Sequence, residues 1–422
     1  MKKFYILILL ISSFSNAQLT WSPITSIPTD VNGQRFDDIF FLNENLGWAI
    51  KGSYSALFKT TDGGETWTQQ IANGGLGGFL YFRNVEFIDE NIGFIGTLSG
   101  SFFKSIDGGT TWNAVTTITP NPPAICGLDA VGSSTIYGCG AWFGPGFIIK
   151  STDSGMTWEY INMSVYANTL VEVLFIDENI GFAAGNNASG AIIIKTIDGG
   201  TTWTTLYNGT IAGEYVWKLQ VLPNSGNAVI FGSVESVAPN PGRMIKSVDG
   251  GTNWISKNVP DVDVQAIGFV TENHGWIGGH HTGFFETFDG GNTWTNTTVG
   301  SNLNRILFIN NELGYACGTT VYKMTNNLST ATFQEQARVP LKVSVAPNPI
   351  KDKLNVSINF IGSDNLILGL YSSTGQLLSE LKKDLISSPQ TKNYTFDFPY
   401  SSGIYILNLH TNTGRQSIKI VK

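Results

Sequence analysis

Thr60-Thr61-Asp62-Gly63-Gly64-Glu65-Thr66-Trp67 decides how this chain is read, because it returns five more times. The copies are Ser105 to Trp112, Ser151 to Trp158, Thr196 to Trp203, Ser247 to Trp254 and Thr287 to Trp294. Their aspartates are Asp62, Asp107, Asp153, Asp198, Asp249 and Asp289, spaced 45, 46, 45, 51 and 40 residues apart. Their tryptophans are Trp67, Trp112, Trp158, Trp203, Trp254 and Trp294. A period of about 40–50 residues is that of propeller blades. Each residue type suits a tight turn. Asp accepts backbone N–H groups, the Gly pair adopts positive φ, and Trp supplies a large ring to bury between blades. Six copies of one carboxylate argue for a structural part, since a catalytic site is not repeated in every unit.

A second pattern precedes each box: Asn, any residue, Gly, an aromatic. It reads Asn45-Leu-Gly47-Trp48, Asn91-Ile-Gly93-Phe94, Asn179-Ile-Gly181-Phe182 and Asn273-His-Gly275-Trp276. Looser copies are Thr135-Ile136-Tyr137-Gly138, Asn227-Ala-Val-Ile230 and Glu312-Leu-Gly314-Tyr315. That makes seven copies against six boxes. The seventh box is degenerate at Lys323-Met-Thr-Asn326-Asn327, and Leu19-Thr20-Trp21-Ser22 resembles the segment after each Asp-Gly-Gly. The expectation is an all-β, seven-bladed propeller over residues 18–335, with its N-terminal strand closing the last blade so that no sheet edge stays open.

These repeats resemble the Asp-box, or BNR, motif. The full unit is similar to the photosystem II stability and assembly factor family of seven-bladed propellers. That resemblance implies a protein-binding propeller rather than an enzyme. The family carries an arginine patch on one face, whereas this propeller has only Arg35, Arg83, Arg243 and Arg305, so photosynthesis does not follow. Sialidases, sortilin-type receptors and xyloglucan hydrolases share the box. A sialidase is disfavoured, because the nearest match to its Arg-Ile-Pro motif, Phe82-Arg83-Asn84-Val85, lacks the proline.

The ends of the chain read differently. Lys2-Lys3, an apolar run from Phe4 to Ile11 and Ser15-Asn16-Ala17 form a signal peptide over residues 1–17. Residues 336–341 read as a linker. Residues 342–422 alternate as short strands, with Leu354 to Phe360 the clearest, and suggest a small β-sandwich. Ala346-Pro347-Asn348-Pro349, Leu370 to Gly375, Ser402-Gly403-Ile-Tyr405 and Lys419 to Lys422 resemble, in order, the type A sorting domain of the type IX (Por) secretion system. The resemblance implies a Gram-negative bacterium, export through the outer membrane, and the type IX machinery as a partner.

Composition narrows the function. Charged residues make up 14% of the chain, Gly numbers 48, and the net charge is -7. Nothing basic enough for nucleic acid is present. No stretch after the leader has transmembrane length, and a monomer is expected. Neither Cys126, Cys139 and Cys317 nor the adjacent His280-His281 have metal-ligand spacing, so no metal or cofactor is expected. Whether Cys126 and Cys139 are bonded stays open. No P-loop, G-x-S-x-G or H-E-x-x-H occurs.

Propellers work where their innermost strands converge. One polar-facing position per innermost strand gives Asp38, Asn84, Gly127, Glu172, Lys218, Ala266 and Arg305; the next position outward adds Glu86, Asp129 and Gln220. Asp38, Glu86, Asp129, Glu172, Lys218 and Arg305 are therefore the candidate axial binding face. A glycoside hydrolase would need two of the carboxylates about 5–10 Å apart in an aromatic-walled cleft. Carboxylates paired with Lys218 and Arg305 would instead mark a binding propeller for a protein or glycan, or an adhesin.

Overall fold

The protein, seen in a computed structural model, is described over residues 18–29, 34–78, 80–140, 144–223, 225–226, 228–327, 342–360, 364–372, 377–411 and 414–422. The signal peptide, the linker and Gly375 lie outside these residues. The chain divides into two compact units, Met1–Ser329 and Thr330–Lys422.

In the first unit, every regular element among the described residues is a strand. They form seven four-stranded antiparallel sheets, six of them built from consecutive strands. The innermost strands are Phe36–Phe41, Phe82–Phe87, Ile125–Val131, Thr169–Phe175, Tyr215–Val221, Val264–Phe269 and Arg305–Asn310. We number the blades 1 to 7 in that order. Blade 7 takes its fourth strand from the N-terminus: Gln18–Pro23 pairs antiparallel with Val321–Asn327, Trp21 opposite Met324. Trp21 stacks on Phe284 at 4.5 Å and meets Trp276 edge-on at 5.9 Å. It thereby stands where the other blades place a box tryptophan.

In blades 1 to 6 the two repeated motifs meet, and together they fasten each blade to the next. The box turn rests on the turn before the aromatic, as where Gly63 N donates to Asn45 O at 2.9 Å. Inside the box, Thr66 N and Thr66 Oγ1 donate to the two oxygens of Asp62, while Gly64 N donates to Thr60 Oγ1. Gly63 and Gly64 hold φ of 69° and 89°, which a side chain would strain. The aromatic of one blade stacks on the inner-strand phenylalanine of the following blade: Trp48 on Phe87, Tyr137 on Phe175 and Tyr315 on Phe41, each at 3.6 Å. The box tryptophan closes that phenylalanine from its edge, as Trp112 does to Phe87. A lysine cross-strand from the aromatic covers its other side and donates to the next box: Lys59 Nζ to Gly108 O at 3.0 Å, Lys150 Nζ to Gly199 O at 2.8 Å.

Two details differ from the sequence reading. In blade 5 the aromatic position is Phe231, not Ile230: Phe231 pairs with Lys246 and stacks on Phe269 at 3.9 Å. The weak motif there offered nothing to fix its register. Of the six box tryptophans, only Trp203 is fully buried, and the other five are half-buried at the rim.

The second unit is a sandwich. A three-stranded sheet, Lys342–Ala346, Lys353–Phe360 and Gln390–Asp397, shares one apolar core with a four-stranded sheet whose last strand is Gly414–Val421. Leu354, Val356, Ile358 and Phe360 face Leu368, Leu370, Leu407 and Leu409. The ordered motifs converge on the final strand. Asn348 bonds Lys419 O and Val421 N, and Gly403 exchanges both backbone bonds with Lys422.

Candidate functional site in the axial channel

The innermost strands share one irregularity. In blades 1 to 6 the pairing with the second strand slips at a bulge, at Asp37, Arg83, Cys126, Val171, Trp217 and Gln265. A bulge sets two adjacent residues against one partner and re-aims their side chains. Two layers therefore form where simple alternation gives one.

The residue after each bulge is the one the sequence singled out. Arg305 of blade 7 reaches Asp38 of blade 1 at 3.2 Å and, across the axis, Glu172 of blade 4 at 3.9 Å. Lys218 Nζ meets Glu172 Oε2 at 2.5 Å. These four side chains are at most 17% exposed, so their charges are held in mutual compensation rather than by water. Burial lowers the Lys218 ammonium, with Glu172 opposing. Burial would also lower Arg305, but Asp38, Glu172, Glu86 and Asp129 together raise it.

The remaining axial groups act as struts between neighbouring blades. Asp38 accepts from Val85 N at 3.1 Å, Asp129 from Phe175 N at 2.5 Å, and Gln220 exchanges two bonds with the backbone of Phe269. Glu86 accepts from the backbone of Ala130. Asn84 Nδ2 donates to Ile125 O at 3.0 Å. Gly127 and Ala266 add no polar group. Burial, then the neighbouring Asp129, pushes the Glu86 carboxyl well up. Burial pushes Asp129 to about 7.

The bulged residues make the second layer, which the sequence reading missed. Asp37 gathers Arg35 at 3.2 Å, Arg83 at 3.5 Å, Tyr81 Oη at 3.1 Å and Gly52 N at 3.0 Å, and its carbonyl accepts from Asn304. Arg83 crosses the axis to lie over the Trp217 ring, 5.5 Å from its centroid. Arg35 also donates to Gln265 and Asn302 and meets His280 at 3.1 Å. Burial first, then Arg35, holds His280 below its ordinary value. His281 turns away to Asp263 at 2.7 Å, so the two histidines serve different partners. The available signal was the run of adjacent polar residues, Asp37-Asp38 and Arg83-Asn84, where alternation calls for an apolar residue.

The two mouths of the channel differ. The Asp37 layer gives a polar mouth. At the opposite mouth, beside the boxes, lies a cavity of 400 Å³ with Glu172, Lys218 and Arg305 at its base and Leu174, Ile176, Leu222 and Phe308 among its walls. Among the described residues, no cluster of His, Cys, Asp and Glu fits a metal ion. The three cysteines are buried thiols.

Known proteins resemble this chain in two parts. Residues 14–161 match the family described as photosynthesis system II assembly factor YCF48, and residues 344–422 match the secretion system C-terminal sorting domain. Among solved structures, YCF48 bound to D1 peptide is 20% identical with a TM-score of 0.55, covering 73% of this chain and 96% of that one. YCF48 from Cyanidioschyzon merolae is 19% identical with a TM-score of 0.56, covering 72% and 98%. PorZ, a surface component of the type IX secretion system of Porphyromonas gingivalis, is 15% identical with a TM-score of 0.51, covering 92% of this chain and 59% of PorZ. No curated protein matches the chain. At these identities the likeness concerns the fold. The class is an all-β propeller protein with a secretion sorting domain. In particular, the chain joins a YCF48-like propeller to a type IX C-terminal sorting domain, which marks it for the cell surface or the extracellular space.

Proposed function

We propose that this chain is an exported, non-catalytic binding propeller that holds a protein or glycan at the axial mouth beside the boxes. The observation that supports this reading most is the engagement of the axial acids. Asp38 and Glu172 are ion-paired with Arg305 and Lys218, and Asp129 is bonded to the next blade. A general acid or a nucleophile needs freedom to meet substrate, and struts between blades do not have it. That YCF48 has been solved with a bound peptide agrees with a binding role. The same reading takes residues 1–17 as a cleaved leader, 18–335 as the propeller, 336–341 as a linker and 342–422 as the sorting domain, in a Gram-negative host.

Glycoside hydrolysis is the second reading. It is favoured by the raised carboxyls of Glu86 and Asp129, since a protonated acid near neutral pH suits protonation of a leaving group. Incubation with a polysaccharide panel, scored by new reducing ends, separates the two. The binding reading expects none. Turnover that disappears in Asp129→Asn or Glu86→Gln would replace it with the hydrolase.

A further inference from the structure

We infer that the cavity beside the boxes receives a neutral, lipophilic small molecule: an alkyl or aromatic body carrying at most a hydroxyl or amide at its inner end. The inference goes beyond the binding reading above: it adds a small-molecule pocket within the mouth at which that reading places a protein or glycan.

The walls set the body of the ligand. Leu174 and Ile176 of blade 4, Val221 and Leu222 of blade 5, and Ile306 and Phe308 of blade 7 surround 400 Å³. A second recess of 560 Å³ shares Gln220, Pro223 and Phe308 with it. Together they fall in the range of about 300–1,000 Å³ typical of small-molecule sites. Aliphatic walls of this kind, buried or partly buried, gain by excluding water, roughly in proportion to the apolar area covered.

The floor sets the charge. Lys218, Glu172, Arg305 and Asp38 already form a closed set of ion pairs at 2.5, 3.2 and 3.9 Å. An ionic ligand would bring a charge into a low-dielectric recess whose counter-charges are committed, and that costs heavily. A hydroxyl or amide needs only one hydrogen bond there and brings no such penalty. The opposite mouth, lined by Arg35, Asp37 and His280, has the reverse character, so the ligand enters on the box side.

The test uses the full chain and the neutral dye N-phenyl-1-naphthylamine. We expect saturable fluorescence enhancement at one site per chain, displaced by 1-decanol, with amide exchange slowed in 172–176, 215–222, 264–269 and 305–308. The anionic dye 8-anilinonaphthalene-1-sulfonate should bind at least about tenfold more weakly, a difference of about 1.4 kcal/mol. Val221→Trp fills the cavity, and Leu174→Asn makes its wall polar. Each should weaken the neutral dye about tenfold or more, with melting curves confirming the fold. Absence of saturation, equal binding of the anionic dye, or undiminished binding by both variants overturns the inference. So does protection outside the named segments, a readout on the wild-type chain that needs no variant to fold. The broader binding reading fails separately, if an outer-membrane extract leaves the inner strands of all seven blades unprotected while dye binding persists.

Discussion

Asp198 and Asp129 belong to the same repeating architecture and sit at its two radial extremes. At the rim, Asp198 takes hydrogen bonds from Thr202 N and Thr202 Oγ1 in an exposed turn, and the Thr202 bonds hold its carboxyl down to about 2. At the axis, Asp129 takes a bond from Phe175 N, yet burial drives its carboxyl up to about 7. Hydrogen-bond donors favour the charged form, and loss of water disfavours it. In the box turn, donors are plentiful and water remains. In the channel, five carboxylates share the space with Arg35, Arg83, Lys218 and Arg305, and Glu86 and Asp129 receive the least compensation. The difference teaches that radial position, more than residue type, sets what an acid does in this fold.

The strongest way to break the comparison is to remove the central cation. Arg305→Met leaves Asp38 buried without its ion-pair partner and strips one partner from Glu172. A loss of about 3–5 kcal/mol is expected by denaturant unfolding at pH 7. A change below about 1 kcal/mol would mean that water already compensates these acids.

A second measurement concerns the pH slope. Asp129 has a folded value of about 7, raised above its ordinary range near 4. Its contribution is complete below pH 4 and is lost as pH rises through 7. Asp129→Asn keeps an oxygen for Phe175 N and removes the titration. It should flatten the fall in stability between pH 4 and 7 by an amount on the order of 4 kcal/mol. An unchanged slope would assign the titration to Glu86.

The smallest expected effect is at the rim, with the opposite sign. Asp198 is depressed to about 2, so its contribution is present above pH 4 and lost as pH falls toward 2. Asp198→Asn should remove part of the acid-side decline in melting temperature while leaving the slope between pH 4 and 7 intact. If the variant alters the neutral slope instead, rim and axis are coupled and the radial distinction fails.

Much of this was legible in residue order. The box and the Asn-x-Gly-aromatic unit recur at blade spacing, and each residue in them serves a local need: a hydroxyl for the turn, a glycine for positive φ, an aromatic for the seam. Trp21 could be assigned to the last blade because Leu19 to Ser22 copies the segment after each box. Ordered motifs likewise marked the sorting domain before its sandwich was seen. The sequence also placed the axial acids and cations on the innermost strands, since strand alternation is a local rule.

Partnership was the part that residue order left undetermined. Arg305 and Glu172 are 133 positions apart in the chain, and only closure of the ring brings blade 7 across from blade 4. The bulges that add the Asp37 layer set two adjacent residues against one partner, so a period-two reading passes over them. The apolar mouth is assembled from walls of four blades, none of which looks like a site alone. Local conformational preference fixes repeats and turns, whereas desolvation and ion pairing depend on what the closed ring places opposite each side chain.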